Sequence, residues 1–336
     1  MNTLDMNDFR ITPVSGAIGA AGHTGAAPLM NPLGPLALLP GTWKGRGFNQ
    51  IWRPFRPGAG DPPTQDRFLE FNETEEVLQF VEIPGDIPNR GLLQADITLH
   101  GMTYLQKVND AHVLNNGKPA GIHIEPGIWV SVPGTDNPAN EGTVARMANI
   151  PHGTSLLAQG KAITVAGGPI INPVDITPFR IGNPAIKVPF PESNLSIGSP
   201  FRTPAGDIPH VTQAMVDNPN SVLTDAIAGR TIKNTTVLII STSIPNTAPL
   251  APPPPSTGGG TSNISFLLGD PASGVNANAN AAQMTAIFWI EELVRDDDHE
   301  GHDTRFLLQY TQTVMLNFKG LSWPHVSVAT LVKQGH

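Results

Sequence analysis

The chain has 336 residues, is 39% hydrophobic and only 14% charged, and carries 34 glycines and 34 prolines; so much punctuation breaks long helices and favours many strands joined by turns, in one large all-β domain or two ordinary ones. A formal net charge of −8 without a basic run argues against nucleic acid and anionic membrane as partners, and the absence of cysteine removes disulfides, thiolate metal sites, Fe–S clusters and Cys nucleophiles. The polar, acidic start Met1-Asn2-Thr3-Leu4-Asp5 lacks a signal-peptide pattern and no apolar run nears the roughly 20 residues of a membrane helix, so a cytoplasmic, membrane-free protein is expected.

Residues 1–30 are rich in Ala, Gly and Asn and read as a loosely ordered arm. A short apolar run, residues 33–39, turns at Pro40-Gly41 into a strand with Gly41, Trp43, Gly45 and Gly47 on one face. A bulky indole flanked by glycines suits the first strand of a barrel: Trp43 plugs the closed end and the glycines admit a close neighbour. The alternative for Trp43 is a folding role without ligand contact. Residues 68–73 and 77–83 read as two strands, and 97–108 as a third strand region. Residues 120–132 carry His123, Glu125, Gly127 and Trp129 on one face and Ile122, Ile124, Ile128 and Val130 on the other. Pro126 there implies a bulge or an edge. Two strands flank a kink at His152-Gly153. The first part of the barrel therefore spans 31–165.

Residues 166–260 form a Pro-rich insertion, one expectation being a lid over the barrel mouth. Within it only residues 235–242 read as a solid strand, and residues 211–228 suit two short helices split by Pro219. Pro252 to Pro255 read as a linker or loop tip. Strand signals return at 263–268, 284–294 and 305–318 and in the segment around His325, so 261–336 supply the last barrel strands. The expected fold is all-β: an antiparallel up-and-down β-barrel, lipocalin-like, with a large insertion.

The run Asp296-Asp297-Asp298-His299-Glu300-Gly301-His302-Asp303 falls where a hairpin loop belongs, and reads as a solvated turn ahead of a weak divalent-metal site. No hydrolase triad and no phosphate loop has diagnostic spacing. Three histidines, His123, His152 and His325, lie in otherwise apolar strand segments. A buried imidazole must satisfy both nitrogens, and one iron ligand with one or two partners across a pocket accounts for the three. A packed core histidine in a plain metabolite-binding barrel is the alternative for His325.

Gly41-Thr42-Trp43-Lys44-Gly45-Arg46-Gly47 resembles the Gly-x-Trp-x-Gly-x-Gly signature of the nitrobindins, haem proteins with a ten-stranded barrel like that of fatty-acid-binding proteins. Ile122-His123-Ile124-Glu125-Pro126-Gly127 resembles their His-x-Glu-x-Gly strand, and Trp323-Pro324-His325 their C-terminal Pro-His segment, in the same order. The chain thus resembles a long bacterial variant of that family with an insertion. The resemblance covers residues 33–165 and 261–336. It implies haem b with His325 as the iron ligand, His123 on the distal side, and Thr42, Trp43, Gly45 and Trp323 among the cofactor-lining residues. It also implies a ferric iron isomerising peroxynitrite to nitrate and binding nitric oxide. A peroxidase would need a distal base, for which His123 and His152 are the catalytic candidates, and a cation, for which Arg46, Arg90 and Arg146 are candidates. The expected partner is a small-molecule ligand or oxidant, and a homodimer stays open. Two other readings stand beside the enzyme: a haem carrier or gas sensor without turnover, and a haem-free barrel binding an apolar molecule.

Overall fold

The computed structural model describes residues 31–137, 139–242, 259–269, 278–294 and 306–335. The arm before residue 31, the proline run at 252–255 and the acidic run at 296–303 lie outside them. Ten strands pair antiparallel in chain order: β1 Gly41–Pro54, β2 Arg67–Glu82, β3 Ile97–Asn115, β4 Lys118–Val132, β5 Thr143–Ile150, β6 Thr154–Ala166, β7 Ile232–Ser241, β8 Asn280–Leu293, β9 Phe306–Phe318 and β10 Leu321–Lys333. β10 pairs back onto β1, from Trp43 opposite Lys333 to Ile51 opposite His325. These ten strands thereby close into a barrel, so none of the ten is left as a free edge along the wall. No helix among the described residues is long and apolar enough to cross a membrane.

Closure depends on Gly45. A Cβ there would lie 2.0 Å from the Thr330 carbonyl oxygen, so only glycine lets β10 seat against β1. At that end the barrel is plugged. The turn around Gly34–Leu36 buries Leu33, Leu36 and Leu39 against Trp43, Leu78, Phe80, Met102, Trp129, Ile290, Leu308 and Leu331. The Trp43 Nε1–H donates to the Leu39 carbonyl (2.8 Å), and Lys333 Nζ donates to the Leu38 carbonyl (2.7 Å). Each buried Leu of the plug contributes about 2 kcal/mol of transfer free energy.

Three expectations change. The segments 68–73 and 77–83 are one strand, β2. The segment 263–268 splits into a four-residue strand, Gly260–Asn263, paired with β6, and a one-turn helix, Ser265–Leu268. The strand expected inside the insertion, now 232–241, is the seventh barrel strand, so the elaboration proper is 167–231. It holds the two expected helices, α1 Gln213–Asp217 and α2 Ser221–Ile227.

This elaboration is a cover laid on the outer wall. Its Ile176, Ile208, Val211, Val216 and Leu223 pack with the outward residues Phe48, Leu69, Phe71, Val237, Trp289, Val326 and Val328. Such residues alternate with the interior set along each strand, so the wall is apolar on both faces and needs the cover. The cover also touches the open rim, among other places by pairing Phe179 and Arg180 with Ser322 and Leu321, by bridging Arg202 to Leu69 and by the Arg67–Glu192 ion pair. Most of its apolar side chains pack on the outside of the barrel, and Phe190 reaches the rim against Trp52 and Trp323.

Candidate functional site

The barrel interior is layered. Above the apolar plug lies a belt of buried polar side chains, and above the belt, toward the open end, lie the histidines. The belt holds two carboxylates. Glu125 on β4 takes the Arg146 guanidinium of β5 and the Tyr104 hydroxyl of β3 on one oxygen. Arg146 also donates to the Tyr104 oxygen (2.8 Å) and the Gln312 amide oxygen (2.7 Å). Gly127 makes this possible: a Cβ there would sit 2.5 Å from the Tyr104 ring. Burial alone would raise the Glu125 carboxyl, but Arg146, with His123 and Tyr104, outweighs it and holds Glu125 at about 2. The second carboxylate, Glu76 on β2, accepts from Tyr310 (2.7 Å), Gln106 (3.2 Å) and Thr74 (3.0 Å). Burial pushes it up against those hydrogen bonds.

His325 faces inward on β10, above the belt. It lies deep in the protein, yet it keeps partial solvent access, as do Ile51, His123, Gln312, Val314 and Ser327 on the same interior face. The open half of the barrel is therefore a chamber, not a packed core. Burial pushes the His325 imidazole down to about 3, and charge on His123 and His152 would act in the same direction. The ring is neutral at physiological pH. Its recorded protein contact is Ser327 Oγ at 3.5 Å, which is too long to satisfy it.

β4 and β5 lie across the barrel from β10 in the strand order, and they bring up the other two histidines. His123 Nε2 is 3.3 Å from Glu125 Oε2, so the expected contact between residues two apart on one face is present. Pro126 sits just before the stretch of β4 that pairs with β5, which starts at Gly127, so it occupies a local edge and no bulge reverses the face. The isoleucines opposite, with Ile128 exposed, look outward. His152, exposed at the β5–β6 turn, has its ring 5.6 Å from that of His123. Burial and the His123 charge lower its pKa, against a hydrogen bond to the Ile122 backbone.

The other expected lining residues are elsewhere. Trp43 is in the plug, roughly 26 Å along β1 from the level of His325 at 3.3 Å per residue. Thr42 is on the outward face, its carbonyl accepting from the Gln334 N–H (2.8 Å). Gly45 lies against the β10 backbone. Trp323 stacks on Phe318, with ring centroids 4.7 Å apart, and meets Trp52 and Phe190 in the cluster shared with the cover. Thr42, Trp43 and Gly45 therefore lie away from His325, while Trp323 is two positions from it along the same strand, toward the rim. Of the candidate cations, Arg46 pairs with Glu75 and Arg90 with Asp96 at the surface. Arg146 alone is interior, and Glu125 neutralises it.

Among the described residues no three His, Cys, Asp or Glu side chains are disposed to hold a bare metal ion. The residues fit a flat group held by one imidazole: an inward His325 whose neutral form burial favours, with apolar Ile51 and Val314 on the same interior face. Glu125 and Arg146 were named from sequence, but not their assembly into a belt; its signal is polar residues at alternate strand positions.

Fold and chamber together define the class: a closed ten-stranded antiparallel β-barrel, plugged at one end and hollow at the other. No family model matches the chain, and no curated protein matches it. Among solved structures it is similar to the crystal structure of Rv2717c from M. tuberculosis, at a TM-score of 0.37 and 14% identity over 93% of this chain and 100% of that one.

Proposed function

We propose that the chamber binds haem b through His325, and that the chain is a nitrobindin-like haem protein handling small nitrogen-oxide ligands. One observation carries the reading: the interior His325 imidazole, whose charged form burial disfavours and whose nearest hydrogen-bonding contact among the described residues is Ser327 Oγ at 3.5 Å. The order of the three sequence motifs supports it. Haem supplies an iron that binds small ligands such as nitric oxide or peroxynitrite. The protein's own residues hold and shield that group. His325 anchors it, Ile51 and Val314 exclude water, and His123, steadied by Glu125, faces it with His152 from the far wall.

The belt bears on the chemistry. A peroxidase pulls the O–O bond apart with a base and a cation. His123 or His152 can serve as the base, but the guanidinium at their level of the barrel, Arg146, is already consumed by Glu125. This favours peroxynitrite isomerisation at a ferric centre over peroxidase turnover, and it equally supports a haem carrier or gas sensor.

Haemin titration with wild type and His325→Ala tests ligation. The expected result is a Soret band shifted from free haemin in wild type and lost or displaced in the variant. A band indifferent to the substitution rejects the reading. Stopped-flow decay of peroxynitrite then separates enzyme from carrier, since a carrier matches a haemin-only control.

A further inference from the structure

The chamber has no free positive charge at the level of the belt, yet its mouth has one. Arg53 is the last but one residue of β1, two positions beyond Ile51, which pairs with His325. Alternation puts Arg53 on the same face as Ile51, about 7 Å further toward the open end. Its Nε–H donates to Glu70 Oε2 (2.6 Å), and its guanidinium lies over the Phe68 ring at 4.6 Å from the centroid. Among the described residues neither Nη group has a recorded partner, and the side chain is 41% exposed. A guanidinium held by its Nε and stacked on an aromatic ring is oriented in advance, with a two-pronged edge left for a carboxylate. Glu70 is itself steadied by Asn72 (3.4 Å), which also donates to Asp110 (2.9 Å).

We propose that Arg53 anchors the carboxylate edge of an amphipathic ligand whose apolar body lies in the chamber, with Glu70 as the internal anion it must compete against. This deepens the haem reading and rests on it for the identity of the ligand, because a porphyrin carries its two carboxylates along one edge. That edge then points out of the mouth, and the apolar edge points down toward the belt. Arg67, the neighbouring cation at the rim, is engaged by Asp66 and Glu192 (3.0 Å each) and does not compete for the role.

The test uses metal-free protoporphyrin IX and its dimethyl ester, titrated by fluorescence into the full chain. Neither probe has an iron for His325, so failure of iron ligation and failure of the anchor are read separately. Wild type should prefer the diacid over the ester about fivefold, the scale of a partly exposed charge-assisted pair. Arg53→Gln should weaken the diacid by about that factor and leave the ester unchanged. Glu70→Gln should tighten the diacid, because it removes the competing carboxylate without touching the guanidinium. Equal preference in wild type and Arg53→Gln, or weaker diacid binding by Glu70→Gln, overturns the anchor. Failure of both probes to bind overturns the anchor and leaves the haem reading to the haemin titration. A His325-independent haemin spectrum with intact Arg53 discrimination overturns ligation alone and upholds the anchor.

Discussion

Arg146→Met is the perturbation that the belt makes most informative. The substitution keeps much of the side-chain volume but strips the charge facing a fully buried carboxylate. In the wild type Glu125 is held at about 2 against an ordinary 4.5, which corresponds to about 3 kcal/mol of stability at neutral pH. Because that pKa is depressed on folding, the contribution is present above the ordinary carboxylate range and fades as the pH falls toward 2. Without Arg146 the sign reverses. Glu125 becomes a buried charge lacking its counterion, its pKa rises, and stability drops as the pH rises. Breaking such a pair from one side costs about 3–5 kcal/mol, with Tyr104 and Gln312 also losing a donor. Urea unfolding followed by tryptophan fluorescence at pH 7.5 and 4.5 reads both effects. The loss should be near 4 kcal/mol at pH 7.5 by the same reasoning and shrink by half or more at pH 4.5, where the variant's Glu125 takes up a proton. Glu125→Gln with Arg146→Met should recover part of it. A single-variant loss under about 1 kcal/mol, or one indifferent to pH, refutes the buried pair as described.

Gly45→Val should cost more than about 3 kcal/mol, because the clash is with the Thr330 backbone and no side-chain end can give way. Thermal unfolding checks it, with Gly206→Ala, which meets nothing within 4 Å, as the neutral control; a Gly45→Val midpoint matching that control refutes the close approach. Glu291, on the outer face of β8, is buried with both carboxyl oxygens unpartnered, and burial, opposed by Arg230, pushes it up to about 8. Its stabilisation is full below the ordinary carboxylate range and is lost as the pH rises toward 8. Glu291→Gln should flatten the fall in urea midpoint between pH 5 and pH 8.5, and an unchanged slope contradicts the assignment.

The barrel was legible where apolar residues alternate with glycine, as in Gly41 to Gly47, and where turns are marked by Pro and Gly. It was hard to read where the interior is polar. Asn72, Thr74 and Glu76 point inward on β2, so the polar run 74–76 looked like a break and one strand was taken for two. The same inversion put Ile122, Ile124 and Ile128 outside and His123 and Glu125 inside on β4, against the usual rule for a half-buried sheet. His123, His152 and His325 were singled out from the sequence, and the fold brings His123 and His152 to 5.6 Å, with His325 near enough to feel their charge. Arg146 was noticed only as a cation without a place, because its partners Glu125, Tyr104 and Gln312 come from three other strands and only register brings them together. Trp43 closes the base, as its place among glycines implies, and not a cofactor slot, while Trp323 packs in the cluster shared with the cover.

The cover leaves the barrel and rejoins it almost at the same spot. The Gly167 N–H donates to the Lys233 carbonyl (2.8 Å), and Ala166 pairs with Asn234. The whole passage between them is therefore a graft on a hairpin, and a tight turn could replace it with the wiring of the ten strands untouched. Such an excision would turn Trp289, Phe71 and Val326 toward water. A stripped version of this chain would then have to recruit a substitute coat or repaint that wall with polar residues, and until it did so its weakness would be stickiness, not loss of fold.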